Sequence, residues 1–403
     1  MTDIPFGFQL PGGGGPNPAD PAQMQAFLSQ LQQMLASPSD GPVNWNLARQ
    51  IADQTARDGD RSLTSGERQA ADDALRLADL WLDPVTTLPS GVTSAAAWSR
   101  LEWIDHTIGT WRALCDPVAA RVVTAMQNLV PDELRAQLGP MASMLGSLGG
   151  VMFGGQVGQG LGQLSAEVLG TSDIGLPLGP VGTAALLPAN VAAFAEGLER
   201  PEDEVRLYVA LREAAHQRLF GHVPWLRAHL LDAVDAYARG ISVDRQAVEE
   251  AMTRIDPTDP ESMQAVLTEG LFQPEDSPEQ RAALARLETA LALVEGWVAH
   301  VVDQASTDRL PSAPALAEAF RRRRAAGGPA EQTFATLVGL ELRPRRLREA
   351  TALWAALTEH RDASGRDALW SHPDLMPSSD DLDDPVGFAE RVHDGRLPGI
   401  EDL

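Results

Sequence analysis

The chain has 403 residues, enough to bury a sizeable core as one large domain or two ordinary ones. Its formal net charge of −24 argues against a general nucleic-acid binder, because phosphate contacts need a basic surface, and favours a protein that stays dispersed. Cys115 is the one cysteine, which excludes an intrachain disulfide framework and suits a reducing compartment.

The opening run Met1-Thr2-Asp3-Ile4-Pro5 has neither the basic residues nor the apolar stretch of a signal peptide, and a cytoplasmic location is expected. Residues 1–40 are rich in Pro, Gly, Gln and Ser, with Gly12 to Gly15 consecutive. Such a leader has little apolar surface to offset ordering entropy, so it is expected to stay flexible, with room for a short helix over 22–35. From Val43 to about Asn128 the pattern is helical, broken at Asp58-Gly59-Asp60 and again from Pro84 to Gly91. Thr64-Ser65-Gly66-Glu67 has the spacing of a capping box and opens an amphipathic run through Leu75, Leu77, Leu80 and Leu82. Trp98, Trp103 and Trp111, with His106 among them, predict an aromatic-rich core in which His106 is a packing residue.

Residues 136–166 carry no charged side chain, and length alone would admit a membrane span. Glycines 146, 150, 154, 158 and 162 recur every fourth position, however, and Gln156, Gln159 and Gln163 interrupt the apolar surface. Small residues at that spacing let another backbone approach closely, so a buried helix pair is expected and stable membrane insertion is not. Asp173 to Leu187 is the best β candidate, read as a short hairpin.

Pro201 followed by Glu202, Asp203 and Glu204 predicts the start of a long helix, with negative charge against the positive end of its dipole. Gly221 and Pro224 supply the stop, and Pro224-Trp225 opens a further helix. On the long helix Arg212 and His216 lie one turn apart on one face, with Glu213 beside them. In H-E-x-x-H hydrolases two histidines at this spacing bind Zn²⁺, and the glutamate takes a proton from the metal-bound water. Arginine stands here where the first histidine belongs, and a protonated guanidinium has no lone pair for a metal. His222 lies six residues beyond His216, the interval between the second and third histidines of an extended form of the motif, although Leu219 occupies the place of that pattern's glycine. His229 is a further histidine nearby.

Helices are predicted over about 243–255, 260–269 and 278–306, the last opened by Ser277-Pro278-Glu279. Glu295 lies within it among Leu291, Val294 and Val298, so a metal or a cation must answer its charge if it is buried. Arg321 to Arg324 and Arg343, Arg345, Arg346 and Arg348 are expected to solvate helix faces and pair with carboxylates. The segment from Pro377, with Asp380, Asp381, Asp383 and Asp384, reads as an exposed acidic stretch carrying a short helix near 386–392.

The runs Leu211-Arg212-Glu213-Ala214-Ala215-His216-Gln217-Arg218-Leu219-Phe220 and His222-Val223-Pro224-Trp225-Leu226 resemble an actinobacterial family of zincin-like hydrolases described as zinc-dependent metalloproteases. Gly158 to Leu164, Pro188-Ala189-Asn190-Val191, Glu295-Gly296-Trp297 and Leu340 to Arg346 match as well, so the resemblance spans roughly residues 40–395. It implies a mainly α fold with a small β-hairpin or edge sheet beside the active helix, residues 41–376 forming the zincin-like domain and 377–403 an acidic C-terminal segment. Glu213 then matches the general base, His216 the second ligand and Glu295 a third ligand; Arg212 is the departure.

Two functions follow. In one the chain is a zinc-dependent peptide hydrolase with an atypical centre: His216, Glu295 and His222 hold the metal, Glu213 activates water, and Arg212 steadies a substrate carboxylate or the developing oxyanion. In the other it is a catalytically inactive zincin-like protein that binds or scaffolds a peptide or protein partner, with Arg212 in the metal's place paired to Glu295 or Glu213. The plain alternative is that Glu213, His216 and Glu295 form a buried polar network and nothing more.

Overall fold

The computed structural model describes residues 41–128, 140–239, 278–325 and 346–393. The expectations for 1–40, for the helices over 243–255 and 260–269, and for the match at 340–345 lie outside these residues. The described chain is built of helices α1 (Trp45–Arg57), α2 (Ser65–Leu82), α3 (Arg100–Asn128), α4 (Pro140–Ser165), α5 (Pro188–Leu198), α6 (Glu202–His222), α7 (Leu226–Arg239), α8 (Pro278–Ser306), α9 (Ala313–Ala325), α10 (Leu347–Asp367) and α11 (Pro385–His393). Two strands, β1 (Ser94–Ala97) and β2 (Thr183–Leu186), and two short 3-10 helices, Ala368–Ser371 and Pro373–Leu375, complete it.

The helix ends follow from local chemistry. Thr64 caps α2 by accepting from the Glu67 amide at 3.2 Å, and the Glu67 carboxylate accepts from the Thr64 amide at 2.9 Å, which closes the expected capping box. Asn44 caps α1 through the Leu47 amide. The inner face of α2 is Ala71, Ala74, Leu75, Ala78 and Leu82, whereas Leu77 and Leu80 are exposed, so only part of the leucine series faces the core. Helix α6 starts at Glu202 as its acidic first turn predicts, and it runs on through Gly221 and His222 before Val223 ends it. The stop expected from Gly221 therefore comes only after the last helical turn, and Gly221 and His222 are part of it.

The glycine face of α4 is explained by its neighbour. A Cβ on Gly154 would come within 2.6 Å of the Asn44 carbonyl, and one on Gly158 within 2.4 Å of the Ala48 carbonyl, so α1 and α4 approach as closely as backbones allow. Among the described residues no helix is long and apolar enough to cross a membrane.

The β element differs from the expected hairpin. β2 pairs in parallel with β1, in a register running from Ser94 opposite Thr183 to Ala97 opposite Leu186. Ile174, Leu176 and Leu178 are buried but lie in turn, bend and irregular backbone instead of forming a strand. The resulting edge sheet rests beside α6, as the mainly α reading with an edge sheet requires.

Helices α6 and α8 form the axis of the core and pack on each other. From Tyr208 to Leu219 every residue of α6 is buried, as is every residue of α8 from Leu291 to Val298. Such a helix leaves no face for water, and any charged side chain on it must find its partner inside. Around the axis Trp103, Trp111, Trp297 and Trp354 are fully buried. His106, expected in this core, is instead exposed and stacked on Trp98 with ring centroids 4.5 Å apart. Asp380, Asp381, Asp383 and Asp384 lie towards the surface, while Leu382, Phe388, Ala389 and Val392 are buried and α11 packs on α10.

Candidate functional site

The site lies where α6, α8, α9 and the loop after α4 meet. Helix α6 supplies Arg212, Glu213, His216 and Gln217, α8 supplies Glu295, and α9 supplies Arg324. All six are buried, Glu295 to 1% exposure.

Glu295 is the centre of the arrangement. Its Oε2 accepts from Arg212 Nη2 at 2.6 Å, and its Oε1 accepts from Arg324 Nη2 at 2.7 Å. The same Oε1 lies 3.1 Å from His216 Nε2. The other ring nitrogen, Nδ1, is 2.8 Å from the carbonyl of Arg212 one turn back. Both nitrogens of His216 thus face oxygen acceptors. Burial alone would push the Glu295 carboxyl up; the guanidiniums of Arg324 and Arg212, helped by His216, outweigh it and hold the group well below the usual carboxylate range. Phe320, one turn before Arg324 on α9, lies under the Arg212 guanidinium at 4.8 Å from its ring centroid and steadies that cation.

Glu213 faces a second set of partners. It accepts from the Thr171 hydroxyl, from the Ser172 amide at 3.0 Å, from the Ser172 hydroxyl at 3.3 Å and from Gln217 Nε2 at 2.9 Å. Burial raises its carboxyl above the ordinary value, and these donors, with His216, oppose that rise without reversing it. A Cβ on Gly170 would sit 2.7 Å from Glu213 Oε2, so the loop passes too close for any side chain there. Gly175 has φ +78°, in the left-handed region glycine favours, and its α-carbon side is turned against Glu295 Oε1. The loop is fastened to α9 as well: Arg324 donates to the Asp173 carbonyl, and Arg323 reaches the Asp173 carboxylate at 3.0 Å and the Glu167 carbonyl at 2.6 Å.

Of the residues singled out from sequence, Arg212, His216 and Glu295 come together in one hydrogen-bonded group, and Glu213 lies one residue along α6 with its own donors. His222 stands apart: its ring is exposed at the end of α6, and Nε2 donates to the Ser90 carbonyl at 2.9 Å. His229 packs edge-on against Trp225 and is held below its ordinary value chiefly by burial. Arg324, Gln217, Thr171 and Ser172 were not anticipated. Arg324 had a signal: it follows Leu316 and Phe320 at four-residue steps, so a charge falls on the apolar stripe of α9. The other three are united only by the tertiary fold.

The sequence model of the zincin-like metallopeptidases matches residues 43–389, most of the chain. The chain belongs to the zincin-like metallopeptidase family. Among solved structures, this zincin-like protein is similar to a Chloroflexus aurantiacus protein described provisionally as a hydrolase with a novel fold. The TM-score is 0.59 at 21% identity, with 87% of this chain and 98% of that chain covered, a likeness of fold. No curated protein matches it in sequence.

Family membership implies zinc in general, so the donor set can be tested against that ion. A structural or catalytic zinc takes lone pairs from three or four ligands. Here Glu295 already spends each oxygen on a guanidinium, and two fixed positive charges flank the place where a cation would sit. Among the described residues no group of three His, Cys, Asp or Glu side chains is placed to hold a metal. The residues of this zincin-like centre do not fit zinc; they fit a clasp in which arginines supply the positive charge.

Proposed function

We propose that the chain is a catalytically silent member of its family, a binding or scaffold protein for a peptide or protein partner, in which Arg212 stands in the metal's place. The observation that carries this reading is the 2.6 Å contact between Arg212 Nη2 and Glu295 Oε2, at the motif position where the family's hydrolytic chemistry would need a histidine. A guanidinium offers charge but no lone pair, so it satisfies the glutamate and leaves nothing to activate water. Residues 41–376 serve as the zincin-like domain, with the acidic segment 377–403 appended, in a cytoplasmic protein that does not bind nucleic acid.

A second reading, a zinc-dependent hydrolase with Glu213 as base and His216 and Glu295 among the ligands, is favoured by one feature. Glu213 and His216 keep the motif's positions on α6, and His216 lies within 3.1 Å of Glu295. Zinc content separates the two. Untagged protein purified without chelator and dialysed against zinc is expected to hold none, and a Glu295→Ala variant likewise. About one zinc per chain, lost in Glu295→Ala, would overturn the silent reading in favour of the hydrolase.

A further inference from the structure

We infer that Arg324 is a second latch on this centre, and that Arg324, more directly than Arg212, keeps cations from the edge shared by His216 and Glu295. The inference rests on the silent reading above and assigns the exclusion to a residue outside the motif.

The two guanidiniums are not equivalent. Arg212 lies on Oε2, the carboxylate oxygen turned away from His216. Arg324 lies on Oε1, the oxygen that is also 3.1 Å from His216 Nε2. Two ligand atoms bound to one tetrahedral zinc are roughly 3.3 Å apart, given metal–ligand distances near 2.0–2.1 Å. The Nε2 and Oε1 pair therefore already has the spacing of a shared ligand edge, and the guanidinium beside that edge belongs to Arg324. Replacing Arg212 with histidine would free Oε2 and restore the H-E-x-x-H pattern. It would leave a full positive charge in contact with Oε1, in a setting where water screens little.

Arg324 is also anchored to the loop that closes over the centre. Its Nη2 donates to the Asp173 carbonyl as well as to Glu295, and the next residue back, Arg323, holds the Asp173 carboxylate and the Glu167 carbonyl. The loop that carries Asp173 carries Gly175 too, whose missing side chain lets it close over Glu295 Oε1. Of the cations acting on the Glu295 carboxyl, Arg324 has the largest effect, ahead of Arg212. A single replacement at 212 thus changes the motif without opening the centre.

Four proteins test this: wild type, Arg212→His, Arg324→Met and the double variant, each refolded and dialysed with and without zinc. Zinc content and the zinc-induced shift in thermal unfolding are read on all four, with circular dichroism confirming the helical fold. The inference expects no zinc in wild type or in either single variant. The double variant should take up about one zinc per chain, with an affinity at least about 100-fold above that of Arg212→His, since a buried like charge beside the ligands has gone. A double variant that folds only when zinc is present gives the same support, because the metal then replaces the missing counter-charge. Zinc bound equally well by Arg212→His alone overturns the second latch while leaving the silent reading intact. A double variant that binds none, or that fails to fold with zinc present, overturns it as well. Zinc in wild type overturns the silent reading itself, and the latch with it.

Discussion

Two buried arginine–carboxylate groups touch α8 two residues apart, one at Trp297 and one at Glu295, and they are built by different rules. At the end of α10, Asp367 accepts from one arginine, Arg366, at 2.8 Å, and otherwise from neutral donors: Trp297 Nε1 at 2.9 Å, Thr86 Oγ1 at 2.6 Å and the Thr87 amide at 2.8 Å. Arg366 in turn reaches the Val85 carbonyl at 2.8 Å. Charge is balanced one to one, and the remaining capacity goes to neutral groups, as a structural cross-link requires. Two residues earlier on α8, Glu295 faces two arginines and a histidine. Cation is in excess there, and fold stability alone does not call for it. The contrast sets Asp367 apart as a balanced cross-link and Glu295 as a carboxylate faced by more cations than it can neutralise.

The sharpest way to break this comparison is to remove each carboxylate. Glu295→Ala leaves two guanidiniums buried without their shared anion and should lower unfolding free energy by about 3–5 kcal/mol in urea titrations. Asp367→Asn keeps an acceptor for Trp297 and Arg366 and should lower it by about 2–3 kcal/mol. A larger loss at Asp367 than at Glu295 would reverse the ranking of the two regions.

Acid titration of stability separates them further. His300, which bonds Thr358 near the Arg366 end, is lowered to about 4 from an ordinary 6.5, first by burial and then by Arg366. A basic group with a depressed folded value contributes stability that is complete above pH 6.5 and is lost as pH falls towards 4, roughly 3 kcal/mol in all. His300→Gln should flatten that window. Glu295 is depressed from an ordinary 4.5, so its contribution is present above pH 4.5 and lost below it. Glu295→Gln should flatten only this lower window, and in part, because Asp367 is depressed too. If Glu295→Gln altered the slope between pH 6.5 and 5, the assignment of the two windows would be wrong.

The smallest expected effect is at the loop. Gly175→Ala places a side chain at φ +78° and 3.0 Å from Glu295 Oε1, and should cost about 1–2 kcal/mol. Gly109→Ala, with open space around it in mid-helix, should be neutral or slightly stabilising and serves as its control in thermal melts.

Much of the helical frame could be read from local signals, since caps and acidic first turns act within a few residues. Thr64 with Glu67 placed the start of α2, and Pro278 with Glu279 placed α8, because those groups answer the orphan amides of their own helix. The strand β1 escaped notice because Ser94-Ala95-Ala96-Ala97 has no β-branched or aromatic side chain; its partner, 89 positions away, decides its state. The same distinction governs the site. Arg212, Glu213 and His216 share a helical face and were visible together, and an unanswered Glu295 was visible as a debt of charge. Thr171 and Ser172 carry no periodic or charge signal, and Arg324 was hidden in a run whose neighbours Arg321 and Arg322 do pair with Glu318 at the surface.

The glycine seam between α1 and α4 sets the order in which the chain can assemble. Glycines weaken α4 as an isolated helix by roughly 1 kcal/mol each relative to alanine, so it gains its shape from contact with α1. Ala48 and Gly158 are 110 positions apart (158 − 48), so that contact closes a long loop. Pairing of this kind belongs late in folding, after the local helices around Trp103 and Trp111 have formed. Until α4 packs on it, the small-residue face of α1 stays uncovered.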